Sequence, residues 1–194
     1  MKKKQVGIFS GSFNPVHTGH LILANYLLEF TSLDEIWLVV SPHNPIKEAD
    51  SLLDEKIRLE MARLAVEEFD RLLVSDIEFC MPKPSYTIDT LTRLRSENPD
   101  VEFTLVIGSD NWRKFPRWKE HQRLIEEFRI LIYPRPGEEV GADRPLPENV
   151  QLIDAPIVEI SSTFIRESIR MGKNMRAFLP AQVYDYILSN GLYR

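Results

Sequence analysis

A single cysteine among 194 residues, Cys80, excludes an internal disulfide and a cysteine-rich zinc site. Flanked by Phe79 and Met81, it is expected as a packed thiol, with no local motif that marks a nucleophile. No apolar run approaches the roughly 20 residues of a membrane span. The opening Met-Lys-Lys-Lys-Gln carries the charge of a signal peptide. Gly7, Ser10, Gly11 and Asn14 break the apolar region behind it, so none is expected and residence is cytoplasmic by default. A basic stripe is also missing. The net charge of −5 argues against broad nucleic-acid binding, and an anionic small ligand would need a local positive pocket. Gly-x-Gly-x-x-Gly and Gly-x-x-x-x-Gly-Lys-Ser/Thr are both absent, which removes the usual dinucleotide and P-loop signatures. There is no internal repeat and no low-complexity segment.

What remains is an ordinary globular composition, 43% hydrophobic and 27% charged, in a length that suits one domain spanning residues 1–194. Apolar runs of strand length alternate with helical patterns. Strands are expected at about 4–9, 35–41, 71–75, 102–107, 129–133 and 150–153. Helices are expected at about 19–30, 53–68, 88–97 and 120–126, after Ser161–Thr163, and near the end. Glu35–Ser41 is nearly continuous in apolar character, as strands buried on both faces are. Strand-helix-strand order implies right-handed βαβ units and an α/β fold around a mainly parallel sheet. The stretch from Pro134 to Glu148, rich in Pro, Gly and acid, is expected as a mobile surface loop.

The first candidate site is Gly11-Ser-Phe-Asn-Pro-Val-His-Thr-Gly-His20, between the first strand and the first helix. A glycine there lets backbone approach a ligand, and the helix start offers free N–H groups and a positive dipole end. His17 and His20 sit at the same end, three residues apart, and can share a face. Phosphate suits this arrangement best. A zinc site does not, because two histidines alone are too few ligands. A second such place is Ile160-Ser-Ser-Thr-Phe-Ile-Arg166. One hydroxyl of Ser161, Ser162 and Thr163 is accounted for as a helix cap; three of them with Arg166 a turn later suggest another phosphate site.

Three further places complete the pattern. Gly108 and Asp110 follow the clearest strand, at the carboxyl end where open α/β sheets bind ligands, and Asp110 can accept bonds from a ribose or an adenine amine. Ser85-Tyr-Thr87 leads a helix, with Ser85 or Thr87 as its expected N-cap. Trp118 offers an indole face for stacking, whereas Trp112 reads as core. In Ser41-Pro-His-Asn-Pro-Ile-Lys47, Lys47 could meet a phosphate, and a solvated loop lysine fits the residues equally well.

Taken in order and spacing, these stretches resemble the nucleotidyltransferase superfamily, with its (His/Thr)-x-Gly-His and Ile-Ser-Ser-Thr-x-x-Arg signatures, and within it the bacterial nicotinate-mononucleotide adenylyltransferases. Arg135-Pro-Gly137 and the closing Gly191-Leu-Tyr-Arg194 extend the likeness over nearly the full length. The resemblance implies a Rossmann-like, doubly wound, mainly parallel sheet of five to six strands, with helices on both faces and a short helical C-terminal part. It implies ATP and nicotinate mononucleotide as substrates, Mg²⁺ accompanying ATP, no nucleic acid and no membrane; a homo-oligomer stays open. His17, His20, Lys47 and Arg166 would be catalytic, with no separate protein metal site. Gly11, Ser12, Phe13, His17, His20, Gly108, Asp110, Ser161, Ser162, Thr163 and Arg166 would hold ATP. Asn44, Lys47, Ser85, Tyr86, Thr87 and Trp118 would hold the mononucleotide. Two departures stand out: the turn reads Ser10-Gly-Ser-Phe-Asn14 where the family often has Gly-Gly-Thr-Phe-Asp, and Ile46 replaces a loop histidine. Nicotinamide mononucleotide as acceptor, phosphopantetheine adenylyltransferase, and a nucleotide-binding regulator without turnover are the competing readings.

Overall fold

The computed structural model describes residues 2–42, 52–137, 140 and 145–194. Six strands, β1 (Lys4–Gly11), β2 (Glu35–Val40), β3 (Leu72–Ser75), β4 (Val101–Gly108), β5 (Arg129–Tyr133) and β6 (Val150–Leu152), form one sheet in the order 3-2-1-4-5-6. Every pairing is parallel, with Phe9 opposite Val106 and Leu38 across β1–β4 and β1–β2. This is the doubly wound order. The direction of winding reverses between β1 and β4, and a crevice opens there at the carboxyl ends of the strands.

Alternation along the strands sorts the core into two layers. Phe9, Leu38, Val106 and Leu131 face one core with α1 (Thr18–Phe30), α2 (Glu55–Val66), α6 (Ser162–Arg170) and α7 (Ala181–Ser189). Ile8, Val39, Leu105, Ile107 and Ile130 face the other, with α3 (Thr87–Glu97), α4 (Ser109–Lys114) and α5 (His121–Glu127). Because successive side chains point to opposite faces, strands buried on both sides must be apolar at consecutive positions, which is the pattern in the sequence.

The structure departs from the sequence reading in two places. Cys80 is exposed rather than packed, because it ends a 3₁₀ turn, Ile77–Cys80, whose inward residue is Glu78. The N-cap of α3 is Tyr86, not Ser85 or Thr87: Ser85 Oγ donates to the Glu78 carboxylate at 2.7 Å, and Thr87 is already the first helical residue. The buried face of α2 carries Arg58, Leu59, Met61, Ala62, Ala65 and Val66, while Ile57 and Leu64 are only half-buried. In the proline-rich stretch after β5, Val140 and Leu146 pack on the second core. No helix among the described residues is long and apolar enough to cross a membrane.

Candidate active site

All six strands end at one edge of the sheet, so the turns after β1, β2, β4 and β5 share that edge. The β1–α1 turn is its centre. Gly11 lies under the Phe13 ring, and a Cβ at Gly11 would stand 3.1 Å from Phe13 Cζ. Here glycine makes room for a side chain rather than directly for a ligand. Phe13 adopts φ +45°, a left-handed conformation unfavourable for a bulky residue. Its buried ring meets Phe9 and His20 edge-on, with centroids 5.8 and 5.1 Å away. Packing therefore holds the turn in a strained shape.

The two histidines stack on each other with ring centroids 3.7 Å apart. His17 is the N-cap residue of α1, and its backbone N–H donates to His20 Nδ1 at 3.1 Å. That bond makes Nδ1 of His20 an acceptor, which places the ring proton of the neutral tautomer on Nε2. His17 is buried, and its Nδ1 has no hydrogen-bond partner. Burial, and after it the Arg135 guanidinium, pulls the His17 pKa down from 6.5 to about 3. The imidazole is thus neutral near pH 7 in the free protein. It offers a hydrogen bond and not a charge.

The second helix start is sewn onto this turn. Ser161 Oγ caps α6 by accepting the Phe164 N–H at 3.1 Å. Ser162 Oγ donates to the Pro15 carbonyl at 2.9 Å, and Arg166 Nη1 donates to the Asn14 carbonyl at 2.9 Å. Arg166 Nη2 lies 3.4 Å from Thr163 Oγ1. All three hydroxyls therefore have work within the protein, where the sequence reading accounted for one. The result is that Arg166 stands beside the β1–α1 turn.

At the end of β4, a Cβ on Gly108 would meet Asp110 Oδ1 at 2.4 Å, so the carboxylate occupies the space a side chain would fill. Asp110 Oδ1 is buried without a hydrogen-bond partner, and Arg135 Nε is 4.0 Å away. Arg135 is fixed from two sides: its N–H donates to Ser109 Oγ at 2.8 Å, and its guanidinium lies 5.2 Å from the Tyr133 ring centroid. Burial in turn pushes the Tyr133 phenol upward. Arg135 lines a cleft with Phe9, His17, His20, Tyr133 and Ile160. The sequence reading noted Arg135 only as part of a motif and gave it no role.

A further cluster lies beside α3. Trp112, Phe115 and Trp118 follow one another with ring centroids 4.9 and 5.2 Å apart. Both tryptophans are half-buried against the second core, so Trp118 is neither free in solvent nor hidden. Lys119, next to it, pairs with Asp89 at 2.8 Å and sits 5.0 Å from the Tyr86 ring centroid. That lysine brings the Ser85–Thr87 segment to the Trp118 turn. Lys47 and Asn44 lie outside the described residues.

Two other important residues are silent in the sequence. Glu78 is buried, holding Ser85 at 2.7 Å, with Thr90 Oγ1 at 3.0 Å. Arg58 is fully buried and donates to four carbonyls: Leu53 (2.8 Å), Ser12 (2.6 Å), Ser41 (2.8 Å) and Pro42 (2.9 Å). It ties the ends of β1 and β2 to the entrance of α2. Its one available signal is position: it lies one turn before Met61 and Ala62, on the apolar stripe of α2.

These features define a nucleotide-binding α/β protein, with its cleft at the switch point of a parallel sheet. The chain belongs to the cytidylyltransferase-like family, which matches residues 8–168, and it is a nucleotidyltransferase. The probable nicotinate-nucleotide adenylyltransferase of Bacteroides fragilis is 55% identical over 188 residues, 97% of this chain and 93% of that one. Its counterpart from Bacteroides thetaiotaomicron is 52% identical over 185 residues, 95% and 91% of the two chains. Among solved structures, Plasmodium falciparum nicotinic acid mononucleotide adenylyltransferase complexed with NaAD has a TM-score of 0.80 at 20% identity, covering 98% of this chain and 97% of that one. At that identity the likeness is one of fold.

Proposed function

We propose that this protein transfers the AMP moiety of ATP to nicotinate mononucleotide, giving nicotinate adenine dinucleotide and pyrophosphate. The family and the named relatives support the reaction. The observation that supports the site is the distribution of buried polar atoms left without a partner. Among the described residues there are four: Ser12 Oγ, His17 Nδ1, Thr92 Oγ1 and Asp110 Oδ1. Native proteins leave few such atoms, and three of these fall at the turn and strand end where ATP is expected. A polar ligand would satisfy them.

The nucleophile is the acceptor's own 5′-phosphate. A phosphate monoester is anionic at neutral pH, with its second pKa about 6, so no protein nucleophile is needed. It attacks the α-phosphorus of ATP; the new phosphorus–oxygen bond forms as the bond to the β-phosphate bridging oxygen breaks, and pyrophosphate leaves with that electron pair. Catalysis then rests on alignment and on donors aimed at developing charge. Arg166 and Arg135 supply positive charge, and the neutral imidazole of His17 and the ring of His20 supply hydrogen bonds. Asp110 accepts from the adenosine. Ser85, Tyr86, Thr87 and Trp118 hold the mononucleotide. Ser85 does so as an acceptor, since its proton is engaged by Glu78. Mg²⁺ would enter with the phosphates of ATP, which suit an ion that keeps most of its own waters. When bound it offsets their charge.

The test is pyrophosphate release with Mg-ATP and, in parallel, nicotinate mononucleotide, nicotinamide mononucleotide and phosphopantetheine. Turnover dominated by the first supports the proposal; turnover dominated by either other acceptor replaces the substrate. Silence with all three, from protein that binds ATP, would favour a regulator. His20→Ala should lower kcat by on the order of 10²–10³, as loss of one transition-state donor does.

A further inference from the structure

The closing Gly191-Leu-Tyr-Arg194 has no part in the reaction as described above, yet it reaches the site. After α7 the chain turns at Gly191 (φ +60°), and the Leu192 N–H bonds back to the Ile187 carbonyl at 3.0 Å. This sends the Tyr193 side chain inward against the first core. Its hydroxyl donates to Asn14 Oδ1 at 2.8 Å, across 179 residues of sequence.

Asn14 is where three remote segments meet. Its side-chain oxygen takes the Tyr193 hydroxyl, and the Leu53 N–H reaches the same atom at 3.5 Å. Its backbone carbonyl takes Arg166 Nη1 at 2.9 Å. Three non-glycine residues among those described have positive φ, and two of them, Phe13 and Tyr193, lie on either side of this contact. Left-handed backbone at bulky residues persists only where surrounding contacts enforce it, and such positions gather at functional sites. Burial pushes the Tyr193 phenol well above its ordinary value, so it is a neutral donor throughout the working pH range.

We propose that Tyr193 is a positioning residue for the phosphate-binding turn: its hydroxyl fixes Asn14, and through Asn14 it fixes both the Phe13 backbone and the Arg166 guanidinium. It touches no substrate. Without the hydroxyl, Asn14 Oδ1 loses the shorter of these two contacts and keeps the longer one from Leu53, while the aromatic ring stays packed. The inference rests on the adenylyltransferase reading for its catalytic consequence, but not for its structural one.

The variant is Tyr193→Phe, which keeps the ring. Loss of one buried hydrogen bond predicts about a 10-fold fall in kcat/KM and a comparable weakening of Mg-ATP binding by calorimetry, with Tm lowered by only a few degrees. Ligand-free hydrogen exchange over residues 12–20 should quicken. In an Asn14→Ala background the same change should cost less than about 2-fold, because the two residues act as a unit. Wild-type kinetics and exchange in Tyr193→Phe would overturn the inference, as would effects of the two substitutions that multiply. If the unmutated protein turns over none of the three acceptors, the reaction is wrong. The exchange measurement and its cycle with Asn14→Ala then still decide the role of Tyr193.

Discussion

Arg58 Nη1 lies 2.6 Å from the carbonyl oxygen of Ser12, 46 residues earlier in the chain. In a trans peptide the C=O and the following N–H point in opposite directions. With the Ser12 carbonyl drawn inward to a buried guanidinium, the Phe13 N–H points away from Arg58. The φ of +45° at Phe13 is thus held from one side by Arg58 and from the other by ring packing. No carboxylate forms an ion pair with Arg58 among the described residues. Its charge is met by carbonyl dipoles, with Glu55 and Asp54 adding to them, and burial lowers its pKa.

Arg58→Met should therefore destabilise the protein far more than a surface charge change. The methionine roughly fills the stem volume but leaves four carbonyls without their donor. At about 1 kcal/mol per lost bond, partly recovered by relaxation and water, about 2–4 kcal/mol is expected. Urea unfolding measures it. Loss of less than about 0.5 kcal/mol would mean that the carbonyls find other donors and the clamp is dispensable. Arg58→Lys, with three donors on a flexible stem, should fall between the two.

Much of the fold is legible because burial on both faces leaves a simple trace. Consecutive apolar residues such as Ile8 and Phe9, or Leu105 and Val106, serve opposite cores. The two helix starts proposed to bind phosphate also stand out in the sequence, since hydroxyls, imidazoles and glycine cluster there within a few positions. The residues that hold those starts in place are not. Arg58 and Glu78 are charged, and a charged residue in a helical or turn pattern is ordinarily a solvated one. Only the arrival of carbonyls from Ser12, Ser41 and Pro42, or of hydroxyls from Ser85 and Thr90, makes their burial tolerable. Those partners come from sequence separations that no local pattern encodes. Cys80 shows the same limit in reverse: apolar neighbours suggested burial, but the 3₁₀ turn gives the inward position to Glu78.

Gly108→Ala isolates the adenosine end of the cleft. Gly108 has an ordinary φ of −76°, so the substitution strains no backbone. Its cost comes from the new Cβ, which would lie 2.4 Å from Asp110 Oδ1 and 3.2 Å from both Arg135 Cγ and Tyr133 Cζ. The carboxylate must move, with Arg135 and Tyr133 limiting where it can go. ATP affinity should fall by about 10-fold, while overpacking costs about 1–3 kcal/mol of stability. Calorimetric titration with ATP checks it. Unchanged affinity would remove Asp110 from the ATP site.

Glu78→Gln should act on the other substrate. The carboxylate accepts from Ser85 and faces Thr90 Oγ1, whereas a carboxamide presents one oxygen and one donor. One hydroxyl must then turn to accept, disturbing the entry into α3. The KM for mononucleotide should rise about 3- to 10-fold, with the KM for ATP held within about 2-fold, on the scale of one altered buried hydrogen bond. Steady-state kinetics with each substrate varied in turn separates the two. A rise confined to ATP would show that Ser85–Thr87 serves the wrong substrate in this account.

His17 gives the chain an acid-labile element whose sign can be worked out. Its folded pKa, about 3, lies below the ordinary 6.5. Between those values the unfolded chain binds a proton that the folded protein excludes, so stability is fully present above pH 6.5 and falls as pH drops toward 3. The slope from this one group is at most about 1.4 kcal/mol per pH unit. Replacing His17 with Gln keeps a polar side chain that does not titrate, and should flatten the dependence of urea-unfolding stability on pH between 4 and 6. It should do so even if the variant is less stable at pH 7. A variant with the same slope as the parent would mean that the buried imidazole is protonated in the folded state. Bound phosphate should oppose the effect: an anion beside His17 favours the imidazolium, so ATP should raise this pKa and protect the protein more at pH 5 than at pH 8. Thermal unfolding with and without ATP at the two pH values reads this directly, and equal protection at both would place the phosphates away from His17.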